Sequence, residues 1–146
     1  MKLLRMDNVA IVVADLQAAI AFFSELGLRL DGQAMIEGLF ADQCTGLKGV
    51  RSEIAMMKAP DCPVRLELTQ YHRPMAITAE PALLPSNTLG LHRVMFEVDD
   101  IDAMLARLRK CGAELVGEMA NYENIYRLCY LRGPSGIIVA LAQKVG

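Results

Sequence analysis

Four cysteines and two histidines are the chain's supply of nucleophiles and soft metal ligands, and their spacing argues against either use. Cys44, Cys62, Cys111 and Cys129 contain no Cys-x-x-Cys pair, and neither His72 nor His92 stands at a zinc-site spacing from them. A reactive thiolate wants a helix N-terminus or a nearby cation. Cys111 instead ends a helical pattern and Cys129 lies in an apolar strand, where packing is the expected role, while Cys62 sits between Asp61 and Pro63 in an expected turn. Gly46-Leu47-Lys48-Gly49 lacks phosphate-loop spacing. What remains is charge carried on strands: Glu67 within Leu66-Glu67-Leu68-Thr69, and Arg93 at the head of Arg93-Val94-Met95-Phe96-Glu97. A carboxylate can take up a proton or hold a cation, whereas a guanidinium stays protonated and only donates, so it suits an oxyanion.

The strand that begins with Arg93 has a counterpart earlier in the chain. Asn8-Val9-Ala10-Ile11-Val12-Val13-Ala14-Asp15-Leu16 is echoed by Arg93-Val94-Met95-Phe96-Glu97-Val98-Asp99-Asp100-Ile101, an offset of 85 residues. An internal repeat fixes the architecture before any local reading does. In each copy a short apolar run ends at an aspartate suited to cap a helix. Leu16, Ala19, Ile20, Phe23 and Leu26 then recur at helical spacing with Gly27 as the stop, and Ile101, Met104, Leu105, Leu108 and Cys111 do so before Gly112. Strands are expected beyond each helix, at 28–31, 53–58 and 64–70, then at 114–118, 126–131 and 137–143. Each copy therefore reads strand, helix, strand, strand, strand. The segment 71–90, with Pro74, Pro81 and Pro85, reads as a linker. The stretch 32–50 reads as an irregular loop at the mouth of a cleft.

At 146 residues and 53% apolar content the chain suits one domain, with module one over about 5–70 and module two over about 91–146. A net charge of −2 without a basic stripe argues against nucleic acid. No apolar run approaches the ~20 residues that span a bilayer. No signal-peptide core precedes Arg5 and Asp7, so a cytoplasmic location is the expectation.

The repeated strands, together with Phe22-Phe23, Leu66-Glu67-Leu68-Thr69 and Gly133-Pro134-Ser135-Gly136-Ile137-Ile138-Val139, resemble the vicinal oxygen chelate superfamily. That superfamily includes glyoxalase I, extradiol dioxygenases and bleomycin-resistance proteins. Tyr122 to Gly133 looks like a segment of functionally unassigned glyoxalase-like members. The resemblance implies an α+β fold of two tandem βαβββ modules, half-sheets curled around a shared cleft, helices outside, and a homodimer. It also implies that Asn8, Glu67, Arg93 and Ala140 stand at the four positions which hold the metal in metal-using members. That set does not suit a cation, because arginine brings positive charge and alanine brings no donor. No metal and no cofactor are expected.

His92 would be a ligand only if the strand slipped by one residue. The slip would turn Val94, Phe96 and Val98 into the pocket and is opposed by alternation. His72, followed by Arg73-Pro74, reads as a surface residue at a strand end. On the same alternation the cleft is lined by Asn8, Ala10 and Val12, by Arg65, Glu67 and Thr69, by Arg93 and Met95, and by Ile138, Ala140 and Ala142, with Met56 and Met57 as further wall candidates. Tyr126 and Tyr130 share one face of their strand; Arg127, Cys129 and Leu131 share the other. The ligand-binding candidates are Asn8, Glu67, Thr69, Arg93, Met95 and Tyr126, with Glu67 and Arg93 also the catalytic candidates. Two readings of Glu67 and Arg93 stay open: a pair that grips an anionic or carbonyl-bearing molecule, and a neutralised remnant of a metal site. The expected function is metal-independent binding of a small organic molecule of the bleomycin-resistance type. The alternative is a lyase, isomerase or dioxygenase, metal-dependent or with Glu67 as general base and Arg93 as electrophile.

Overall fold

The two aspartates that close the repeated strands start helices as their side chains dictate. In the computed structural model, which describes Met1–Gly146, α1 (Leu16–Leu26) is capped by Asp15, whose carboxylate accepts from the Ala18 N–H at 3.1 Å. Asp100 does the same for α3 (Ile101–Arg109), accepting from Ala103 N–H at 3.0 Å. Gly27 ends α1 at φ 118°, a left-handed conformation that a side chain would strain. Helix α3 stops two residues before the expected end, and Cys111 is exposed and not a core residue; Leu108 is the last buried position of its stripe.

A second capping device, invisible in the helical segments themselves, recurs in both halves. The amide oxygen of Gln70 accepts from Leu16 N–H at 2.8 Å, and that of Gln143 accepts from Ile101 N–H, also at 2.8 Å. Each glutamine comes from the last strand of its half and satisfies a helix-start donor on a buried residue. Gln70→Ala and Gln143→Ala are each expected to cost about 1–2 kcal/mol, the value of a lost cap with its donor stranded. Urea melts would measure this, and midpoints equal to wild type would refute the capping role.

The chain divides into two compact units, Met1–Ile77 and Thr78–Gly146. The first contains β1 (Asn8–Val12), α1, β2 (Arg29–Glu37), α2 (Leu39–Thr45), β3 (Arg51–Lys58) and β4 (Arg65–Arg73). Its sheet has the order β1-β4-β3-β2, with β1 parallel to β4 and the other pairs antiparallel. One face carries Ile11, Ala55, Met57, Leu66 and Leu68, all at most 7% exposed, and α1 covers it with Leu16, Ala19, Phe22, Phe23 and Leu26. Strand β2 runs past the expected end at 31 to Glu37, and the stretch read as an irregular loop contains α2. A non-local clasp holds it: Asp42 accepts from Gly49 N–H at 2.9 Å and from Val50 N–H at 2.8 Å. Those N–H groups, Val50 first, lower the Asp42 pKa from its ordinary 3.8. A depressed carboxyl stabilises fully above the unfolded value and loses that contribution as pH falls through the folded one. Tyr71 to Arg73, expected to begin the linker, extend β4.

The second unit contains β5 (Arg93–Glu97), α3, β6 (Glu114–Leu115), β7 (Ala120–Tyr122), β8 (Tyr126–Arg132), a 3-10 turn (Pro134–Gly136) and β9 (Ile138–Lys144). Its order is β5-β9-β8-β6, with β7 also pairing to β8, and β5 parallel to β9. Arg127 makes two hydrogen bonds to Asp102, at 2.7 and 3.0 Å, tying the helix-facing side of β8 to α3. The two sheets are mixed, and the fold is α+β as expected, with α2 and β7 added to the repeated pattern. No helix is long and apolar enough to cross a membrane.

Candidate functional site

Strand register assigns the faces of the second unit. Arg93 lies opposite Ile138 and Ile138 opposite Arg132; Met95 lies opposite Ala140 and Ala140 opposite Tyr130. Paired residues project to one side, so Arg93, Met95, Glu97, Ile138, Ala140, Ala142, Tyr126, Tyr130 and Arg132 share the face away from Val139 and Leu141. On that face Met95 is 49% exposed and Arg93 is exposed, while Ile138, Ala140 and Ala142 are closed off from solvent.

Arg93 reaches across β9 to Tyr130. Its Nη1 donates to the Tyr130 hydroxyl, and its guanidinium carbon lies 4.8 Å from the ring centroid. Arg93 pairs with Ile138 and Tyr130 with Ala140, so the contact runs diagonally over β9, past the small side chain of Ala140. Cation–π attraction and one hydrogen bond hold the guanidinium, but the partner is a neutral phenol, so its positive charge is undiminished. Beside Arg93 opens a pocket of about 250 Å³ lined by Ser86, Gly90, Leu91, His92, Arg93 and Ile138. His92 does not serve as a strand ligand: its Nε2 is 2.9 Å from the Leu89 carbonyl oxygen, and its own carbonyl accepts from Ile138 N–H at 2.7 Å.

In the first unit the register brings Asn8 opposite Arg65, Ala10 opposite Glu67 and Val12 opposite Thr69, with Met56 opposite Glu67 from the other side. Thr69, 7% exposed, donates its hydroxyl to Glu67 Oε2 at 3.1 Å. That bond orients a half-buried carboxylate on a face otherwise made of Ala10, Val12, Ile54 and Met56. Asn8 turns its amide to Asp7, donating at 3.0 Å, and Arg65 binds Asp7 at 3.2 Å. Hydrogen bonds from Asn8 first, then Arg5 and Arg65, lower the Asp7 pKa. Met57 is fully buried in the core and is no pocket wall. His72 is partly buried, with Nε2 3.2 Å from Glu53 Oε1.

The hydrogen bonds of the two charged candidates thus go to Thr69 and to Tyr130. No group of three or more His, Cys, Asp or Glu residues is arranged to hold a metal ion. The donor chemistry of Asn8, Glu67, Arg93 and Ala140 does not fit one either. Glu67 and Thr69 come together on one sheet; Arg93, Met95 and Tyr126 share a face of the other. Sequence reading missed Tyr130 as the partner of Arg93 and missed the pocket wall supplied by Ser86 to His92. Tyr130 was legible in principle, since it shares a face with Tyr126 and lies across a small residue at 140.

Comparison with known proteins follows the same lines. Residues 7–130 match the family model described as the glyoxalase/bleomycin resistance protein/dioxygenase superfamily. The uncharacterized protein YwbC of Bacillus subtilis (strain 168) is 29% identical over 143 residues, covering 96% of this chain and 98% of that protein. The crystal structure of a glyoxalase family protein from Bacillus cereus is 54% identical, with a TM-score of 0.93, covering 100% of this chain and 97% of that one. TnmS3, an antibiotic binding protein from Streptomyces sp. CB03234, shares the fold at 20% identity and a TM-score of 0.61, with 99% and 98% of the two chains covered.

Proposed function

The chain belongs to the glyoxalase/bleomycin resistance protein/dioxygenase superfamily, and from that premise we propose that it binds a small anionic or carbonyl-bearing organic molecule without a metal. The observation that carries this reading is Arg93, an exposed guanidinium beside an open pocket, held by a tyrosine that does not cancel its charge. A guanidinium so placed offers its remaining N–H groups to a carboxylate or an enolate oxygen. Few convergent polar groups on a greasy surface are the general recipe of a small-molecule site. Met95 and Tyr126, on the same face as Arg93, are further contacts; on the first unit's sheet Glu67, oriented by Thr69, and Asn8 are ligand-binding candidates in their own right. The antibiotic binding protein that shares the fold lends support to a binding role.

A second reading rests on Glu67. Thr69 holds Oε2, which leaves Oε1 to take a proton from the carbon of a carbonyl compound bound on that face. Turnover of a bound carbonyl compound would separate this reading from binding alone.

The test is a thermal-shift and calorimetric screen of small carboxylic acids against their neutral amides, with metal analysis of protein purified without chelator. Preference for the acids, with no stoichiometric zinc, nickel, iron or manganese, is the expected result. A transition metal bound through Glu67 would overturn it.

We also propose that the protein is a homodimer. β1, β2 and β5 lie at the edges of their sheets, and Val12 and Met95 are 51% and 49% exposed, a surface that a second copy would bury. Sedimentation is expected to show a dimer at micromolar concentration; a monomer there would contradict it.

A further inference from the structure

Residues 78–90, read from sequence as a spacer, belong to the second unit and fold back on it. Gly136 lies so close to this segment that a Cβ there would come within 3.2 Å of the Ala82 carbonyl oxygen and 3.3 Å of Leu83. The stretch from Pro85 to His92 is then fixed by its own hydrogen bonds. Thr88 donates its N–H and its hydroxyl to the Pro85 carbonyl at 3.1 and 2.8 Å, and His92 Nε2 meets the Leu89 carbonyl at 2.9 Å. Ile138 N–H pins the far end through the His92 carbonyl. Gly90 makes the bend at φ 107°, a conformation side chains rarely adopt. The result is a strap, held in shape in advance, that walls the pocket beside Arg93.

We propose that this pocket is an oxyanion subsite for a compact organic acid, with Arg93 as the charge, Ser86 as a hydroxyl partner, and Leu91 and Ile138 against the acid's apolar part. It rests on the reading of Arg93 given above and adds the class of ligand and the residues that select it. At about 250 Å³ and open to solvent on one side, the pocket suits a compact acid better than a drug-sized molecule, whose sites run ~300–1,000 Å³. His92 is a positioning residue: its ring N–H, given to Leu89, keeps the strap over the guanidinium. A wall shaped beforehand spares the ligand the cost of ordering it.

The experiment titrates the full-length ¹⁵N-labelled protein with pyruvate and benzoate, and with pyruvamide and benzamide as neutral counterparts. Wild type is expected to bind the acids in preference to the amides, with the largest amide shifts at 86–93. His92→Leu is expected to bind the acids about tenfold more weakly, the factor of one net hydrogen bond. His92→Gln keeps an N–H of similar reach and is expected to restore most of the loss, which a merely structural role for the ring would not allow. Ser86→Ala, a change on the exposed strap that does not threaten the fold, is expected to weaken binding severalfold. Arg93→Gln reports on the parent reading. If Arg93→Gln weakens the acids while His92→Leu and Ser86→Ala match wild type, the subsite is wrong and the parent reading stands. Wild type that binds neither acid, or binds acids and amides alike, overturns the subsite as well.

Discussion

Arg93→Gln is expected to leave the fold standing and to weaken an anionic ligand roughly ten- to hundredfold. Charge-assisted hydrogen bonds contribute about 1.5–3 kcal/mol, and each ~1.4 kcal/mol is a factor of ten in affinity. Glutamine keeps a donor and some length but removes the charge. The fold should tolerate it, because Arg93 is exposed and its anchors are one hydroxyl and one aromatic ring, a contact worth about 0.5–1 kcal/mol at such a site. The remnant reading makes the opposite demand. Were Arg93 the buried neutraliser of Glu67, its removal would strand a carboxylate and cost about 3–5 kcal/mol, and the double change at 67 and 93 would recover most of it. Melts of both single variants and the double variant, paired with acid titration, separate the two. A large stability loss with unchanged binding would make Glu67 and Arg93 a relic.

The largest effect on stability should come from Phe23→Ala, at about 3–5 kcal/mol. Phe23 is 0% exposed, lies on the helix that covers β2, β3 and β4, and meets Phe22 edge-on with centroids 5.1 Å apart and planes at 78°. Truncation would leave a cavity in the fully buried layer between α1 and its sheet, where the packing leaves little room for collapse. Since domains of this size hold about 5–15 kcal/mol in all, the variant would stand near its unfolding threshold at ambient temperature. Denaturant melts would show this, and a loss under ~1 kcal/mol would mean that α1 does not seal the sheet as described.

The parts of this molecule that could be read from sequence are those set by short-range periodicity or by the repeat. Asp15 and Asp100 cap as their position demands, α1 has its expected bounds, and β5 follows β1 at the repeat's offset. Alternation also assigned Arg93 and Met95 to one face and Arg127 to the face opposite Tyr126 and Tyr130, which the structure turns toward α3. What escaped depends on contacts distant in the chain. Helix α2 has seven residues and is fixed by a clasp from Asp42 to Gly49 and Val50, which no periodicity signals. β7 is a three-residue exposed strand whose existence depends on β8 beside it. Cys111 fell outside the core because α3 ended at Arg109, two residues before the apolar pattern did. At the candidate site the types of Glu67 and Arg93 were legible but their partners were not. Thr69 is local to Glu67, whereas Tyr130 lies 37 residues from Arg93 and meets it diagonally across a third strand.

The central claim is that the charge of Arg93, and not a metal, receives the ligand. Its most direct test is to follow the guanidinium ¹⁵N and ¹H resonances of Arg93 during titration with an acid found in the screen, using Arg93→Gln to assign them. The account predicts that these signals shift and sharpen in step with binding, as new hydrogen bonds form to the N–H groups that Tyr130 leaves free. Binding of the acid with the Arg93 signals unmoved would contradict it.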